Sequence, residues 1–255
     1  MINLKEKLRN CEVSIGSWIT LGHPSIAEIM AKAGFDWLTV DMEHSAITLH
    51  HAQHLIQVIE LCGVLPLVRV GENNPTLIKR VMDAGAHGVI VPMVNTKDDA
   101  VKAVDSVRYP PMGKRGVGLA RAQGYGLEFD RYKEWVNKES VVIVQIEHIE
   151  AIKNLEEILG VDGVDGSIIG PYDLSGSMGM PGEFENQEFR KAITHYESIC
   201  RKMKKPMGFH IVQPDREKLM ENKKSGYTFI AIGVDILYLG LKCKEVIGQR
   251  HGCTI

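Results

Sequence analysis

Several residues of this 255-residue sequence that could do chemistry directly follow short apolar runs. The clearest case is Val141–His148, VVIVQIEH, in which four aliphatic residues lead into an amide, a carboxylate and an imidazole. If this run is a buried strand, Gln145 and Glu147 point to the same side at its carboxyl end. Such positions face the ligand when parallel strands end at a common mouth.

Three other apolar runs also end in polar residues, and they are Trp37–His44, Leu65–Arg69 and Ile168–Asp173. Glu147 and Asp173 follow neighbouring strands in this interpretation, so their carboxylates could share a divalent ion. Mg²⁺ and Mn²⁺ accept two protein carboxylates and complete their coordination with water and substrate oxygens. Alternatively, each carboxylate caps the helix that follows it or pairs with a surface lysine.

Arg69 and His44 are candidates for charge stabilisation and proton transfer. Arg69 ends an apolar strand, where its guanidinium needs an anion or a polarised oxygen, supplied by a substrate or by a structural salt bridge. His44 could act as an acid or base near neutral pH, with Asp41 or Asp83 orienting its imidazole. A single histidine is more often a packing or surface residue, so this role needs further support.

Two other chemistries are disfavoured. His50 and His54 have the i, i+4 spacing of a helical metal site, but the glutamate of the metalloprotease motif is absent, and a solvated helix face is the simpler interpretation. A Schiff-base mechanism needs a desolvated lysine inside the core. The lysines instead lie in predicted helices, loops or strand starts, as Lys205 does.

The elements that position these residues form a repeating pattern. Eight runs are predicted strands, namely Val13–Ile19, Trp37–Glu43, Leu65–Val70, Gly88–Met93, Val141–Glu147, Gly166–Pro171, Pro206–Ile211 and Phe229–Val234. Most are nearly continuous apolar stretches, which is typical of parallel strands covered on both faces. Because amphipathic helical segments alternate with them, the sequence predicts an α/β fold of the (β/α)₈ barrel type. A doubly wound sheet is the alternative.

Local signals mark where the helices begin and end. Ser25 is a predicted N-cap, with Glu28 reaching back in a capping box. Glycines at Gly34, Gly85 and Gly226 are predicted to end the helices that precede the next strands.

Composition limits the classes of partner. Lys and Arg total 30 against 32 Asp and Glu, and the net charge of −2 provides no basic surface for nucleic acid or for a membrane. The first residues lack the apolar region of a signal peptide, and no run approaches the roughly 20 apolar residues of a membrane span. We therefore expect a cytoplasmic protein that acts on small molecules.

No linker divides the chain, so residues 1–255 are expected to form a single domain. The longest interruption, from about Arg108 to Trp135, is rich in Gly and Arg, and long connections are commonly functional loops or interface elements.

The same polar positions fall within stretches that resemble the HpcH/HpaI family of class II aldolases. The matching stretches are GSW, AGFDWLTVDMEH, PLVRV, IKRVMDAGAHGVIVPMVNT, RYPPMGKRGVG, VQIEH, VDGVDGSIIGPYDLSGSMG and AIGVD. They extend from about Gly16 to Asp235. Together they are specific, although each alone is weak.

The resemblance implies a (β/α)₈ barrel whose last helix is exchanged between subunits, in a homo-hexamer built as a trimer of dimers. It also implies reversible cleavage of a 4-hydroxy-2-oxo acid to pyruvate and an aldehyde, with Mg²⁺, Mn²⁺ or Co²⁺ as cofactor. By resemblance, Glu147 and Asp173 are metal ligands, and His44 is the catalytic histidine with Asp83 as its acidic partner.

The remaining site residues follow from the same resemblance. Arg69 matches the arginine at the keto oxygen and Gln145 matches a residue of the pyruvate site. Tyr172 stands where a small residue often precedes the metal-binding aspartate, and we expect it to line the substrate site and narrow the mouth. Two alternatives remain open: an oxaloacetate decarboxylase or other lyase that forms a pyruvate enolate, and a barrel without turnover that serves in binding or assembly.

Overall fold

The computed structural model describes residues 3–248 and contains a closed barrel of eight parallel strands. Each strand pairs with the next along the chain, and the eighth pairs with the first. The strands are β1 Ser14–Ile19, β2 Trp37–Asp41, β3 Leu65–Arg69, β4 Gly88–Val91, β5 Val141–Ile146, β6 Gly166–Ile169, β7 Gly208–Ile211 and β8 Phe229–Val234. Every boundary lies within 2 residues of its prediction. The prediction of a (β/α)₈ barrel is confirmed.

Helices alternate with the strands around the outside of the barrel. They are α1 Leu4–Arg9, α2 Pro24–Ala31, α3 Leu49–Leu61, α4 Pro75–Asp83, α5 Lys97–Val107, α6 Phe129–Lys138, α7 Ile149–Lys153, α8 Leu155–Leu159, α9 Pro171–Ser177, α10 Gln187–Met203, α11 Arg216–Lys224 and α12 Asp235–Gly248, with a 3₁₀ helix at Arg121–Gly126.

The predicted helix ends are confirmed, whereas one predicted start is wrong. Gly34, Gly85 and Gly226 have φ angles of +96°, +103° and +93°, which L-residues with side chains rarely adopt. Ser25 does not cap α2, because the helix already begins at Pro24 and the side chain of His23 accepts the hydrogen bond from Ser25 N. Proline is favoured in the first turn, where no amide hydrogen is needed.

The amino end of the barrel is closed by α1. Leu4 and Leu8 of this helix pack in one cluster with the side chains that fill the barrel, including Trp37 and Phe229, whose rings stack at 4.4 Å. Lys5, on the same helix, donates to the carbonyl of Ser140 at 2.9 Å. Its Nζ also lies 3.1 Å from Asp165. A plugged amino end leaves the carboxyl end as the open mouth.

The Gly/Arg-rich connection joins α5 to β5, so it lies at the amino end, away from the mouth. Arg115 holds it in place, with its guanidinium carbon 4.7 Å from the ring centre of Tyr109 and 5.4 Å from that of Tyr132. Apolar side chains of the connection are exposed, and they include Val117, Leu119 and Leu127. In a single chain, this segment contributes a surface rather than a loop over the site.

The last described helix, α12, is weakly packed. Asp235 is its one buried residue, and it anchors the start of the helix by accepting from Thr20 N at 2.9 Å and Leu21 N at 2.8 Å. Large apolar residues along α12 are exposed, namely Ile236, Leu239, Leu241, Val246 and Ile247. Within residues 3–248, no helix has the length and apolar character needed to cross a membrane.

Candidate active site

Arg69 and Asp41 form the base of the mouth. The two residues are directly paired across β2 and β3, and Arg69 donates from Nε to Asp41 Oδ1 at 2.9 Å and from Nη2 to Oδ2 at 2.6 Å. The guanidinium carbon also lies 4.4 Å from the ring centre of Trp18. No side-chain or backbone group of residues 3–248 accepts from Nη1. One edge of a firmly held guanidinium is thus left for a ligand.

Asp41 organises the loop that carries His44. Burial alone would raise the pKa of Asp41, but the hydrogen bonds and charge of Arg69 hold that pKa below its ordinary value. Its Oδ1 also accepts from the backbone N–H groups of Glu43 at 3.0 Å and His44 at 3.3 Å. The His44 side chain is 63% exposed, and its Nε2 lies 3.8 Å from Glu43 Oε2. His44 therefore stands at the open mouth with a carboxylate beside it.

Asp83 does not lie near His44 of the same chain, and its orienting of this histidine stays a prediction. Asp83 ends α4, which leads into the amino end of β4, whereas His44 follows the carboxyl end of β2. Asp83 Oδ1 accepts from Arg115 Nη2 at 2.5 Å, and Arg115 Nη1 donates to Tyr132 at 2.9 Å. The carboxylate is thus committed to the segment that follows α5, at the opposite end of the barrel.

Glu147 is a buried carboxylate at the end of β5. Its Oε1 accepts from the backbone N–H of Met93 at 2.6 Å, and its Oε2 accepts from the side chain of Gln145. Burial is the main cause that raises the pKa of Glu147, and Asp173 raises it further. Gly170 approaches closely, since a Cβ there would lie 3.3 Å from both Glu147 Cβ and Oε2. The end of β6 can therefore lie directly against this carboxylate.

Asp173 and Tyr172 lie in the first turn of α9, just beyond β6, and both are exposed at the mouth. The Tyr172 ring packs edge-on against Phe184 at 5.0 Å. A single pocket is lined by Asp173, Tyr172, Arg69 and Gln145. The structure thus brings four of the residues singled out in the sequence to one place.

Negative charge exceeds positive charge around this pocket. Burial raises the pKa of Glu43 to about 7, partly offset by Arg69, and the carboxylates of Glu147, Asp41 and Asp173 raise it further. Glu43 Oε2 is buried without a hydrogen bond, although it lies 3.3 Å from Arg69 Nε. One arginine does not balance four nearby carboxyl groups, and a divalent cation is suited to compensate the excess negative charge. The carboxylates present therefore fit a divalent cation in charge, although no group of three or more His, Cys, Asp or Glu side chains in residues 3–248 converges on a metal site.

Three residues of the mouth were not assigned a role from the sequence. They are Glu43, Trp18 and His210. Glu43 lies in the same short stretch as Asp41 and His44, and its position after β2 is the signal that could have identified it. Trp18 and His210 lie near the ends of β1 and β7, and their burial in the pocket follows only from the closed barrel.

Together, the barrel and its acidic mouth define an enzyme site of the size of a small molecule. Residues 14–239 match the model of the HpcH/HpaI aldolase/citrate lyase family. The chain is 40% identical to the 2-keto-3-deoxy-L-rhamnonate aldolase of Escherichia coli O6:K15:H31 over 235 residues, which cover 91% of this chain and 87% of the relative. The chain belongs to the HpcH/HpaI aldolase/citrate lyase family, and it is an enzyme of the aldolase class, as the sequence predicted.

Solved structures agree with this assignment. An HpcH/Hpal aldolase/citrate lyase family protein from Burkholderia cenocepacia J2315 superposes with a TM-score of 0.91 at 32% identity, covering 97% of this chain and 99% of that one. The citrate lyase beta subunit of M. tuberculosis, complexed with oxaloacetate and magnesium, shares only the fold, with 12% identity and a TM-score of 0.60 over 91% and 95% of the two chains.

Proposed function

We propose that the protein is a metal-dependent class II aldolase that reversibly cleaves a 4-hydroxy-2-oxo acid to pyruvate and an aldehyde. The observation that carries the proposal is the free Nη1 edge of Arg69 beside the acidic cluster of Glu147 and Asp173. A guanidinium and a divalent cation at one point are suited to an enolate, whose oxygen gains negative charge as the carbon–carbon bond breaks.

The roles of the residues follow from their contacts. Asp41 holds Arg69 rigidly, so that its donors need no reorganisation when charge develops on the keto oxygen. Glu147 and Asp173 would hold a divalent ion, which would supply Lewis-acid polarisation of that oxygen. Gln145 positions Glu147 and borders the 2-oxo acid. His44, exposed at the mouth, takes the proton of the 4-hydroxyl during cleavage and returns it in condensation.

Tyr172 is proposed to line the aldehyde side of the pocket. Its side chain is exposed at the mouth and adjoins Asp173, and Phe184 fixes its ring. Because an aromatic ring occupies more space than a small residue, it limits the size of the aldehyde that can reach the reacting carbon.

The function is tested by incubating the protein with pyruvate and a panel of aldehydes, with and without added Mn²⁺, and measuring carbon–carbon bond formation. We expect Mn²⁺-dependent addition to at least one aldehyde. A parallel sample contains oxaloacetate alone. Decarboxylation without addition to any aldehyde would replace the aldolase by the lyase alternative, and inactivity in both samples would refute a pyruvate enolate.

We also propose a homo-hexamer, built as a trimer of dimers, in which α12 packs on a partner subunit. The exposed apolar residues of α12 support this, because an apolar helix face of this kind is normally buried against another protein surface. The double variant Leu239→Asp/Val246→Asp should dissociate the assembly in light scattering, whereas the control Lys244→Asp should not. A wild-type protein that is monomeric and active would contradict the proposal.

A further inference from the structure

His210 lies in the active-site pocket but has no role in the chemistry proposed above. It is the third residue of β7, and its ring lines the pocket together with Arg69, Asp173 and Trp18. The rings of His210 and Trp18 lie 5.2 Å apart at an angle of 49°. Arg69 packs over the same Trp18, so the imidazole borders the space next to the guanidinium.

The hydrogen bonding of His210 fixes what it can offer a ligand. Its Nε2 lies 3.4 Å from the carbonyl oxygen of Gly233, and a carbonyl only accepts, so Nε2 carries the hydrogen. Burial lowers the pKa of His210 to about 4, with a further lowering by Arg69, and the ring is uncharged near neutral pH. No group in residues 3–248 donates to Nδ1. Nδ1 is therefore a free acceptor.

A free neutral acceptor selects a particular chemical group. A hydroxyl can donate to it, whereas a carboxylate has no hydrogen to donate and an alkyl group leaves the acceptor unpaired, which is costly in a buried site. The other polar side chains that line the pocket are those of Arg69, Asp173, Gln145 and Tyr172. The amide nitrogen of Gln145 donates to Glu147 and its Oε1 is shielded from solvent, so His210 adds a neutral acceptor on the β7 side of the pocket.

We propose that His210 determines specificity by accepting, through Nδ1, a hydrogen bond from a hydroxyl group on the aldehyde portion of the substrate. Aldehydes that carry a hydroxyl group are then preferred over alkyl aldehydes and over aldehydes that end in a carboxylate. This inference rests on the proposed aldolase function.

The test compares two aldehydes that differ by one hydroxyl group, lactaldehyde and propanal, as acceptors for pyruvate. His210→Leu removes the acceptor at similar volume and should lower kcat/KM for lactaldehyde by about 10-fold, the value of one hydrogen bond, with a change below about 2-fold for propanal. His210→Gln, whose amide oxygen also accepts, should recover part of the loss. The exposed histidine variant His54→Leu is the matched control and should change neither rate.

Exchange of the pyruvate methyl protons with solvent distinguishes a failure of the His210 role from a failure of the proposed aldolase function. It requires the enolate but no aldehyde, so it should proceed at the wild-type rate in His210→Leu. Suppose that the wild type shows metal-dependent exchange. If His210→Leu then loses activity equally on both aldehydes, or loses none on lactaldehyde, only the role of His210 is overturned. Absence of exchange in the wild type overturns the proposed function and this inference with it.

Discussion

The two ends of the barrel balance their buried charges differently. At the amino end, Lys5 binds Asp165 and a backbone carbonyl, and Arg108 donates to the carbonyl of Ser140 at 3.0 Å. At the carboxyl end, Arg69 contacts Asp41 and Glu43, and the carboxylates of Glu147 and Asp173 lie close enough to raise the pKa of Glu43. Each buried charge of the first set has a protein partner, whereas Glu43 Oε2 of the second set accepts no hydrogen bond from the described residues.

This difference separates stability from function. Buried polar groups without partners cost free energy, so an arrangement that tolerates them needs another benefit. At the amino end, the pairing closes the barrel and holds α1. At the mouth, the excess negative charge and the free edge of Arg69 are suited to groups that the chain itself does not provide, a divalent cation and an anionic substrate.

The largest expected effect is at Glu147. Glu147→Gln keeps the shape but removes the charge needed for the metal, and kcat/KM should fall by roughly 10³-fold or more, since a bound metal contributes several kcal/mol to the transition state. Isothermal titration with Mn²⁺ should show weakened binding. The exposed residue Glu150 provides the matched control, and Glu150→Gln should behave as wild type. Unchanged Mn²⁺ affinity in Glu147→Gln would remove this residue from the site.

His44 and Arg69 should differ in which step they affect. His44→Ala should slow aldol cleavage by roughly 10²–10⁴-fold, the usual contribution of a general acid–base group, with a smaller effect on pyruvate proton exchange. Arg69→Ala should slow both reactions, because both pass through enolate charge. These roles would be assigned wrongly if His44→Ala slowed cleavage and proton exchange equally, or if proton exchange were undiminished in Arg69→Ala.

At the amino end, substitution should affect stability rather than turnover. Lys5→Met leaves Asp165 without its main buried cation and should lower the free energy of unfolding by about 3–5 kcal/mol, as expected for breaking a buried ion pair. The control Lys32→Met removes an exposed pair with Glu28 and should leave the free energy of unfolding nearly unchanged, because solvent screens such a pair. Urea denaturation measures both. A large loss of kcat/KM in folded Lys5→Met would contradict the division between the two ends.

At the mouth, substitution of Glu43 should raise the free energy of unfolding of the metal-free protein rather than lower it. Its pKa is raised to about 7 by burial from an ordinary value of 4.5, so the folded state holds the proton more tightly and stability falls as pH rises between these values. Glu43→Gln removes that penalty and should stabilise the metal-free protein by about 1–3 kcal/mol at pH 8, with little gain at pH 4. Denaturation at the two pH values decides the point. Destabilisation of Glu43→Gln at pH 8 would show that neighbouring groups already balance the charge of Glu43.

Much of the fold could be predicted because the strands are nearly continuous apolar runs. The run at Val141–Glu147, for example, corresponds to a strand at Val141–Ile146. The common location of Arg69, Gln145 and Asp173 followed from one rule, that parallel strands in a barrel end at the same mouth.

The contacts that sequence reasoning missed depend on long-range packing. Asp83 pairs with Arg115, 32 residues away, and no local pattern indicates that partner. The start of α2 depended on His23, a residue with weak capping preference. The position of His210 beside Trp18 joins β7 to β1 through the closure of the barrel, which is visible only in the folded chain.

The central claim is that the acidic mouth holds a divalent ion that, with Arg69, stabilises the pyruvate enolate. The most direct measurement is exchange of the pyruvate methyl protons with solvent, followed by NMR in metal-stripped protein before and after addition of Mn²⁺ or Mg²⁺. We expect negligible exchange without metal, recovery on addition, and no recovery in Glu147→Gln. Full exchange in rigorously metal-free wild-type protein would contradict the claim.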